Sequence, residues 1–284
     1  MEPLLPLLAA GTALAHSYSA CVAKGMRLAG IHSSLEAVAK AALLNFLREQ
    51  EMLNDAVIVS ELELPSVGRR ADLVVIGDQP VAIEIKSKAD SLARLPDQLG
   101  TFCRAFPATY AAVATPHLRK TLSLAPKECG IIELRERRST LDLRVHRRPK
   151  PFVRTSPVEQ ASLLPARELK KALRTLGIRV PSGSRRAELA NRVAEVDPRE
   201  LSSIVSSYLR SKYATTSARF VAMTSGRPIC ADDLAYLRLW SPPIRQASEL
   251  PVDPDRAFFG WLSSQADDHP LGEVPDDIAA SLAA

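Results

Sequence analysis

The sequence predicts an α/β domain with a mixed sheet, followed by a smaller helical module. The first half combines an amphipathic helical pattern with several short apolar runs of the kind that form strands. A segment rich in proline and cations, residues 147–157, then marks a boundary, and beyond it the apolar residues recur at helical spacing. We therefore expect two domains. The first is residues 1–150 with an N-terminal helical arm, and the second is residues 151–284 with an acidic, proline-rich tail.

Each element of the first domain follows from its local pattern, in the order α-β-β-β-α-β. Ser33 and Ser34 are helix-capping residues that precede an apolar stripe, and Gly77 to Pro80 has the composition of a hairpin turn. The predicted elements are a helix over 35–50, strands over 56–64, 71–76 and 81–85, a helix over 91–106, a strand over 109–115 and a strand pair over 129–146. In the last pair we expect the side chain of Glu133 to face outward.

Charged residues interrupt the two strands of the predicted hairpin. Asp72 precedes the apolar run LVVI, and Glu84 and Lys86 flank Ile85. Because strand side chains alternate between faces, Glu84 and Lys86 point to the same side. The partner strand brings Asp72 alongside them. Two carboxylates and an ammonium group are therefore expected to meet in one small patch.

Such a patch has the composition of a site for phosphodiester hydrolysis. Mg²⁺ is held by one or two carboxylates and keeps several waters, which leaves room for phosphate oxygens. The ion stabilises the charge that develops on the phosphate, and a nearby lysine orients or helps to deprotonate the attacking water. The sequence therefore predicts Mg²⁺, or Mn²⁺ in its place, as the cofactor.

The same residues resemble the PD-(D/E)XK nuclease superfamily over residues 34–115. Asp72 and the triplet Glu84-Ile85-Lys86 match its D-x(n)-ExK signature, although Ala71 stands where the superfamily name has proline. Downstream positions are similar to a bacterial branch that reads EIKS-x-x-D-x-L-x-RL-x-x-Q. The matching residues here are Ser87, Asp90, Leu92, Arg94, Leu95 and Gln98. The alternative without catalysis is that Glu84 and Lys86 form a surface ion pair, which would contribute little to the stability of the fold.

The resemblance implies a restriction-endonuclease-like core and a set of residue roles. The implied metal ligands are Asp72, Glu84 and the backbone carbonyl of Ile85. Lys86 would be the catalytic lysine. Gln98 would be the polar residue that the following helix adds to the site.

A further glutamate is implied, because a helix before the sheet often contributes one to the metal site of this superfamily. Glu36 is the catalytic candidate by position, and Glu61 on the first strand is its rival. Glu36 fits equally well as a helix-start acid favoured by the helix dipole. Glu61 fits equally well as a strand residue that faces solvent.

Two pairs of arginines are candidate nucleic-acid contacts. Arg69 and Arg70 precede Asp72, where they could meet a phosphate or lie in a solvated turn. Residues 163–196 resemble the SAP helix-loop-helix motif, which binds the DNA backbone. The matching residues are Leu169, Leu173, Gly177, Ile178, Gly183, Arg185, Arg186 and Leu189. An arginine pair at a helix N-terminus suits phosphate, and the alternative is a small helical subdomain with a solvated basic face.

The charge distribution favours a polyanionic partner, which we expect to be DNA. Residues 104–227 carry 25 Lys and Arg against 10 Asp and Glu, a net charge of +15. Residues 246–284 carry one Arg against eight acids, a net charge of −7. A basic middle suits nucleic acid, whereas the acidic tail does not.

Other protein classes fit the composition poorly. The four cysteines lie far apart with no CxxC pair and the five histidines are scattered, which disfavours a zinc site and favours a reducing compartment. The start lacks a basic segment and is broken by Pro3 and Pro6, so a secretory signal is not expected. No apolar run reaches the length of a membrane span. We expect a cytoplasmic protein without a membrane partner, and the oligomeric state stays open, a dimer included.

The leading hypothesis is a metal-dependent nuclease that cuts DNA with help from a basic helical part. One rival is a DNA-binding protein that uses the same fold without turnover. Another is a helical module that recruits protein or RNA. The presence of Asp72, Glu84 and Lys86 together favours the enzyme.

Overall fold

The computed structural model describes residues 35–238, apart from residues 65–67, 138–139, 182 and 195. The predicted N-terminal arm and acidic tail lie outside the described residues. The helices are α1 (Leu35–Glu49), α2 (Leu95–Ala105), α3 (Leu118–Leu124), α4 (Pro157–Ala161), α5 (Ala166–Thr175), α6 (Arg186–Arg192) and α7 (Pro198–Met223), with 3₁₀ turns at Thr115–His117 and Ala231–Leu237. The strands are β1 (Val57–Leu64), β2 (Arg69–Ile76), β3 (Pro80–Lys86), β4 (Ala108–Ala114), β5 (Gly130–Arg137) and β6 (Thr140–Arg147).

The strands form one mixed sheet in the order β1-β2-β3-β4-β5-β6. The first three strands pair antiparallel, β4 pairs parallel with both β3 and β5, and β6 returns antiparallel to β5. Helix α2 forms the crossover between the parallel strands β3 and β4, as a parallel pair requires. The predicted α/β fold, its order α-β-β-β-α-β and the helices that follow are confirmed.

The sheet is covered by helices on both sides. Leu43 of α1 packs with Leu73 and Ile83 in one apolar cluster. On the other side Val59 of β1 shares a cluster with Val205 of α7. The described residues therefore belong to one compact unit, and the predicted boundary between 150 and 151 marks a change from strands to helices within it.

Helix α7 also satisfies backbone groups of the first two strands. The hydroxyl of Ser217 accepts a hydrogen bond of 2.9 Å from the N–H of Ile58 in β1. The guanidinium of Arg210 donates to the carbonyl of Ile76 at 2.9 Å. These bonds tie the helical region to β1 and β2, and β1 is one edge of the sheet.

Two sequence expectations need correction. The helix predicted over 91–106 begins only at Leu95, because Pro96 suits the first turn of a helix and cannot continue one from upstream. Glu133 does not face solvent: the residue is 2% exposed. Hydrogen-bond donors from neighbouring elements surround its carboxylate, which makes this burial tolerable.

Candidate metal centre

Three acidic residues occupy neighbouring positions across the first three strands. Ala71 pairs with Leu62, so the next step of the same register sets Asp72 opposite Glu61. On the other side Leu73 pairs with Ile83, and the same step sets Asp72 opposite Glu84. The hairpin expected from the sequence therefore brings the carboxylate-bearing residues Asp72 and Glu84 together.

Asp72 is fixed to the strand that carries Glu84. Its Oδ2 atom accepts a hydrogen bond of 2.7 Å from the backbone N–H of Ile85. The sequence resemblance assigned the carbonyl of this same residue to the metal. The aspartate carboxylate is thus anchored beside the backbone of β3.

Glu84 and Lys86 lie on the same side of β3, as strand alternation predicts. The Lys86 Nζ donates to Glu84 Oε1 at 2.6 Å. Glu84 is 1% exposed, and its second oxygen, Oε2, is buried without a hydrogen-bond partner. A buried carboxylate oxygen that lacks a partner is costly, so this atom is well placed to accept a cation.

Burial shifts the proton affinities of the two carboxylates upward. Burial and the charge of Glu84 raise the pKa of Asp72 to about 7, against the smaller opposite effect of the Ile85 N–H. Burial also raises the pKa of Glu84, and its contacts with Lys86 and Gln98 offset only part of that rise. A cation bound between the two carboxyl groups would favour their ionised forms and so lower both pKa values.

Gln98 reaches the site from α2, as the sequence predicted. Its contact with Glu84 is one of the effects that lower the pKa of that glutamate, and its own Oε1 is buried without a partner. The turn before α2 is held by Asp90, whose Oδ2 accepts from the N–H and the hydroxyl of Ser87 at 2.7 and 2.6 Å. Two residues of the resembling motif, Ser87 and Asp90, thus shape the path from β3 to α2.

Glu36 and Glu61 both lie at the site, so the two rivals of the sequence analysis occur together. Single carboxylate oxygens of Glu36, Glu61 and Asp72 lie within 4.8 Å of one another, a spacing at which a metal ion could be held. Lys40 ion-pairs with Glu36 at 2.7 Å and hydrogen-bonds Glu61. Arg70 also pairs with Glu61. Sequence reasoning missed Lys40, and its spacing of four from Glu36 on a helix was the available signal.

Lys40 sets the charge state of this second group of acids. Burial raises the pKa of Glu36, but the ammonium of Lys40 outweighs this effect and the net pKa is lowered. Burial lowers the pKa of Lys40, but its bonds to Glu36 and Glu61 outweigh this and the net pKa is raised. Glu36 and Lys40 therefore each favour their charged form.

Glu61 breaks the regular alternation of β1. Its φ of 61° lies in the left-handed region, which a non-glycine residue adopts at some cost in strain. Val57 and Val59 before it and Leu62 and Leu64 after it all lie in one apolar cluster. The alternation of side chains between the two faces of β1 thus shifts by one residue at Glu61, and the Glu61 side chain contacts Lys40 of α1.

A second buried acid lies further along the sheet. Lys86 pairs with Val113, and Val113 pairs with Glu133, so these three residues form one row. Glu133 Oε1 accepts from the Thr115 hydroxyl at 2.9 Å. Its Oε2 accepts from Arg135 at 2.8 Å and contacts His146 Nε2 at 2.7 Å. Sequence reasoning missed this cluster, because Thr115 and His146 are far from Glu133 in sequence and are brought to it by strand pairing.

The four arginines predicted to contact nucleic acid differ in their exposure and in whether other residues of the protein already bind them. Arg70 is exposed and pairs with Glu61, whereas Arg69 is half-buried at the start of β2. Arg185 is exposed. Arg186 instead donates to the backbone carbonyls of the α4–α5 connection, and the acceptors are Leu164 at 2.7 Å and Ala161 at 3.0 Å. Its guanidinium therefore holds the helical region together.

An open groove of about 1330 Å³ adjoins the acidic cluster. Its walls include Glu36, Lys40 and Glu61 on one part and Arg186 and Lys212 on another. The groove thus connects the candidate site with the helical region.

None of the helices among residues 35–238 combines the length and the apolar character that a bilayer crossing needs.

The chain is similar to a phage protein over most of its described length. Protein cII of Enterobacteria phage P4 is 27% identical over 199 residues, which cover 70% of this chain and 75% of that protein. The solved structure of Pyrococcus furiosus SfsA in complex with Ca²⁺ aligns at 14% identity with a TM-score of 0.24, and the alignment covers 37% of this chain and 61% of that chain. So low a TM-score carries no implication for fold or function. A family model described as bacteriophage P4 protein cII matches residues 31–238, and the chain therefore belongs to this family.

Proposed function

We propose that the chain is a divalent-metal-dependent nuclease that hydrolyses phosphodiester bonds of DNA, with a site of the PD-(D/E)XK kind. One observation carries the proposal. Asp72 and Glu84 lie next to the paired residues Leu73 and Ile83 of β2 and β3, Lys86 is bonded to Glu84, and Glu84 Oε2 is buried without a hydrogen-bond partner. This donor set suits a hard cation beside a lysine.

The residues that would hold Mg²⁺ or Mn²⁺ are Asp72, Glu84 and the carbonyl of Ile85. They fit the ion because the donors are oxygens, and because burial raises the pKa of both carboxyl groups and the charge of Glu84 adds to the rise at Asp72. When bound, the ion would supply charge stabilisation at the phosphate and lower the pKa of a water ligand.

Lys86 is the residue that we assign to the attacking water. Its side chain is 13% exposed, and its bond to Glu84 fixes the ammonium at the rim of the acidic pair. From there Lys86 can orient the water whose oxygen attacks phosphorus as the bond to the leaving oxygen breaks. Gln98 contacts Glu84 from α2 and contributes to lowering the pKa of that glutamate.

The helical region would supply a sequence-independent grip on the DNA backbone. Its exposed cations include Arg167, Lys171, Arg174, Arg179, Arg185 and Arg192. Cations that neutralise phosphates release counterions, so this grip should weaken steeply as the salt concentration rises. Binding without turnover is the second candidate, and these exposed cations favour it equally. We place either activity in the cytoplasm.

The test uses purified protein, plasmid and linear DNA, with Mg²⁺, Mn²⁺ or chelator. We expect metal-dependent cutting that is lost in Asp72→Asn, Glu84→Gln and Lys86→Gln. Lys88→Gln is the matched control for the lysine, because Lys88 is exposed and pairs only at the surface with Glu136. DNA that stays intact under every metal condition while it is bound would overturn the nuclease and favour the binding protein.

A further inference from the structure

We propose that Lys40 acts as a resident cation that fills the space between Glu36 and Glu61, so that the chain binds one divalent ion rather than two. The single ion would lie at Asp72 and Glu84. This inference rests on the proposed function and specifies the metal stoichiometry of its site. Lys40 is in this view a positioning residue.

The contacts of Lys40 account for both glutamates. Its Nζ lies 2.7 Å from Glu36 Oε1 and also hydrogen-bonds Glu61 Oε1. The residue is 4% exposed, so the ammonium is enclosed at the site. The spacing of four residues on α1 puts Lys40 beside Glu36, and the altered direction of Glu61 brings the second carboxylate to it from β1.

The carboxylate oxygens around the Lys40 ammonium are separated by distances that are typical of metal ligands. Oxygens of Glu36, Glu61 and Asp72 lie within 4.8 Å of one another. A divalent ion with oxygen ligands at roughly 2.0 to 2.6 Å would bring ligands to similar separations. The ammonium already supplies positive charge there, and two cations cannot share that volume.

The two acidic groups differ in what their oxygens contact. Lys40 bonds to one oxygen of Glu61 and Arg70 pairs with the other, so the side chains of the protein already compensate this carboxylate. The second oxygens of Glu61 and Glu84 are both buried without a hydrogen-bond partner. That of Glu61 still forms the ion pair with Arg70, whereas the ion pair of Glu84 with Lys86 uses its other oxygen. We therefore assign the single ion to Oε2 of Glu84, the oxygen that Lys86 does not contact.

The test counts Mn²⁺ ions per chain by isothermal titration and by electron paramagnetic resonance of free Mn²⁺. We expect one ion in the wild type, one in Lys40→Arg, which keeps the charge, and two in Lys40→Gln, which removes it. Lys120→Gln is the control, since Lys120 is an exposed lysine on α3, and it should bind one ion. Circular dichroism checks that each variant is folded.

Two further variants keep the test decisive even if Lys40→Gln fails to fold. Glu84→Gln should lose the ion, whereas Glu36→Gln should keep it. Two ions in the wild type, loss of the ion in Glu36→Gln, or one ion in a folded Lys40→Gln would each overturn the role of Lys40. A wild-type chain that binds no Mn²⁺ would instead overturn the proposed metal chemistry, and the inference with it.

Discussion

Asp72 accepts a hydrogen bond of 2.7 Å from the backbone N–H of Ile85, although the two residues lie on different strands. This bond holds the Asp72 carboxylate next to the strand that carries Glu84. Burial and the charge of Glu84 then raise the pKa of Asp72 to about 7. The metal-free protein therefore stores unfavourable free energy in this pair at neutral and alkaline pH.

Replacing Asp72 by Asn should stabilise the metal-free protein more at pH 8 than at pH 5. The pKa of Asp72 rises from 3.8 to about 7 on folding, so between these values the folded state binds more protons and stability falls as pH rises. Asn removes this penalty and keeps an acceptor for the Ile85 N–H. Thermal unfolding of the wild type and of Asp72→Asn, with chelator at pH 5 and pH 8, measures the difference in stability. An equal stabilisation by Asn at both pH values would contradict the raised pKa.

Divalent metal should raise the unfolding temperature of the wild type at pH 8 but not that of Glu84→Gln. A ligand that binds only the folded state adds about 2.7 kcal/mol at a concentration of 100 times Kd. Glu63→Gln is the matched control, because Glu63 is an exposed glutamate on β1, and it should respond like the wild type. Equal metal stabilisation of Glu84→Gln would remove Glu84 from the ligand set.

Glu133→Gln should destabilise the fold at pH 7 by about 2 kcal/mol, because it removes the charge from a buried, hydrogen-bonded carboxylate. Burial raises the pKa of Glu133, but His146, Thr115 and Arg135 outweigh it, and the net pKa lies below the ordinary 4.5. The stability from Glu133 is therefore present above pH 4.5 and is lost as pH falls through the folded pKa.

Chemical denaturation at pH 7 and at pH 3 measures this difference. The variant should lose less stability on acidification than the wild type. Glu136→Gln, an exposed position on the same strand, serves as the control and should change stability little. A variant with the acid sensitivity of the wild type would refute the role of Glu133.

The neighbours Arg185 and Arg186 should behave in opposite ways. Arg186→Ala removes one hydrogen bond from each of the carbonyls of Leu164 and Ala161, of which Ala161 keeps its bond from the N–H of Leu164, so it should lower the unfolding temperature. Arg185→Ala should leave stability unchanged, weaken DNA binding and reduce the slope of log affinity against log salt by about 1. Unfolding scans and binding titrations at several salt concentrations separate the two effects. Similar losses of stability in both variants would contradict the assignment of a structural role to Arg186 and a DNA-binding role to Arg185.

Much of the fold follows from local patterns in the sequence. The apolar runs around Gly77 to Pro80 predict the hairpin, and strand alternation predicts that Glu84 and Lys86 share a side. Both are confirmed. The placement of Asp72 next to them follows from pairing within one hairpin, a short-range relation that the sequence expresses well.

The remaining features depend on long-range packing or on local irregularity. Lys40 on a largely buried helix has no sequence signal that names Glu61 as its partner, since the two residues are brought together by packing of α1 on the sheet. The left-handed backbone of Glu61 shifts an alternation that would otherwise be regular. Arg186 looks like its neighbour in sequence, and only the fold distinguishes a carbonyl-binding arginine from a solvated one.

The hydrogen bond that the N–H of Ile58 donates to the Ser217 hydroxyl has a consequence for self-association. Edge strands present unpaired backbone groups that invite intermolecular β-pairing. Helix α7 blocks that template at β1. Truncation after residue 150 would uncover both the strand and the apolar surface beneath the helix, and the shortened chain should aggregate even if its acidic residues were intact.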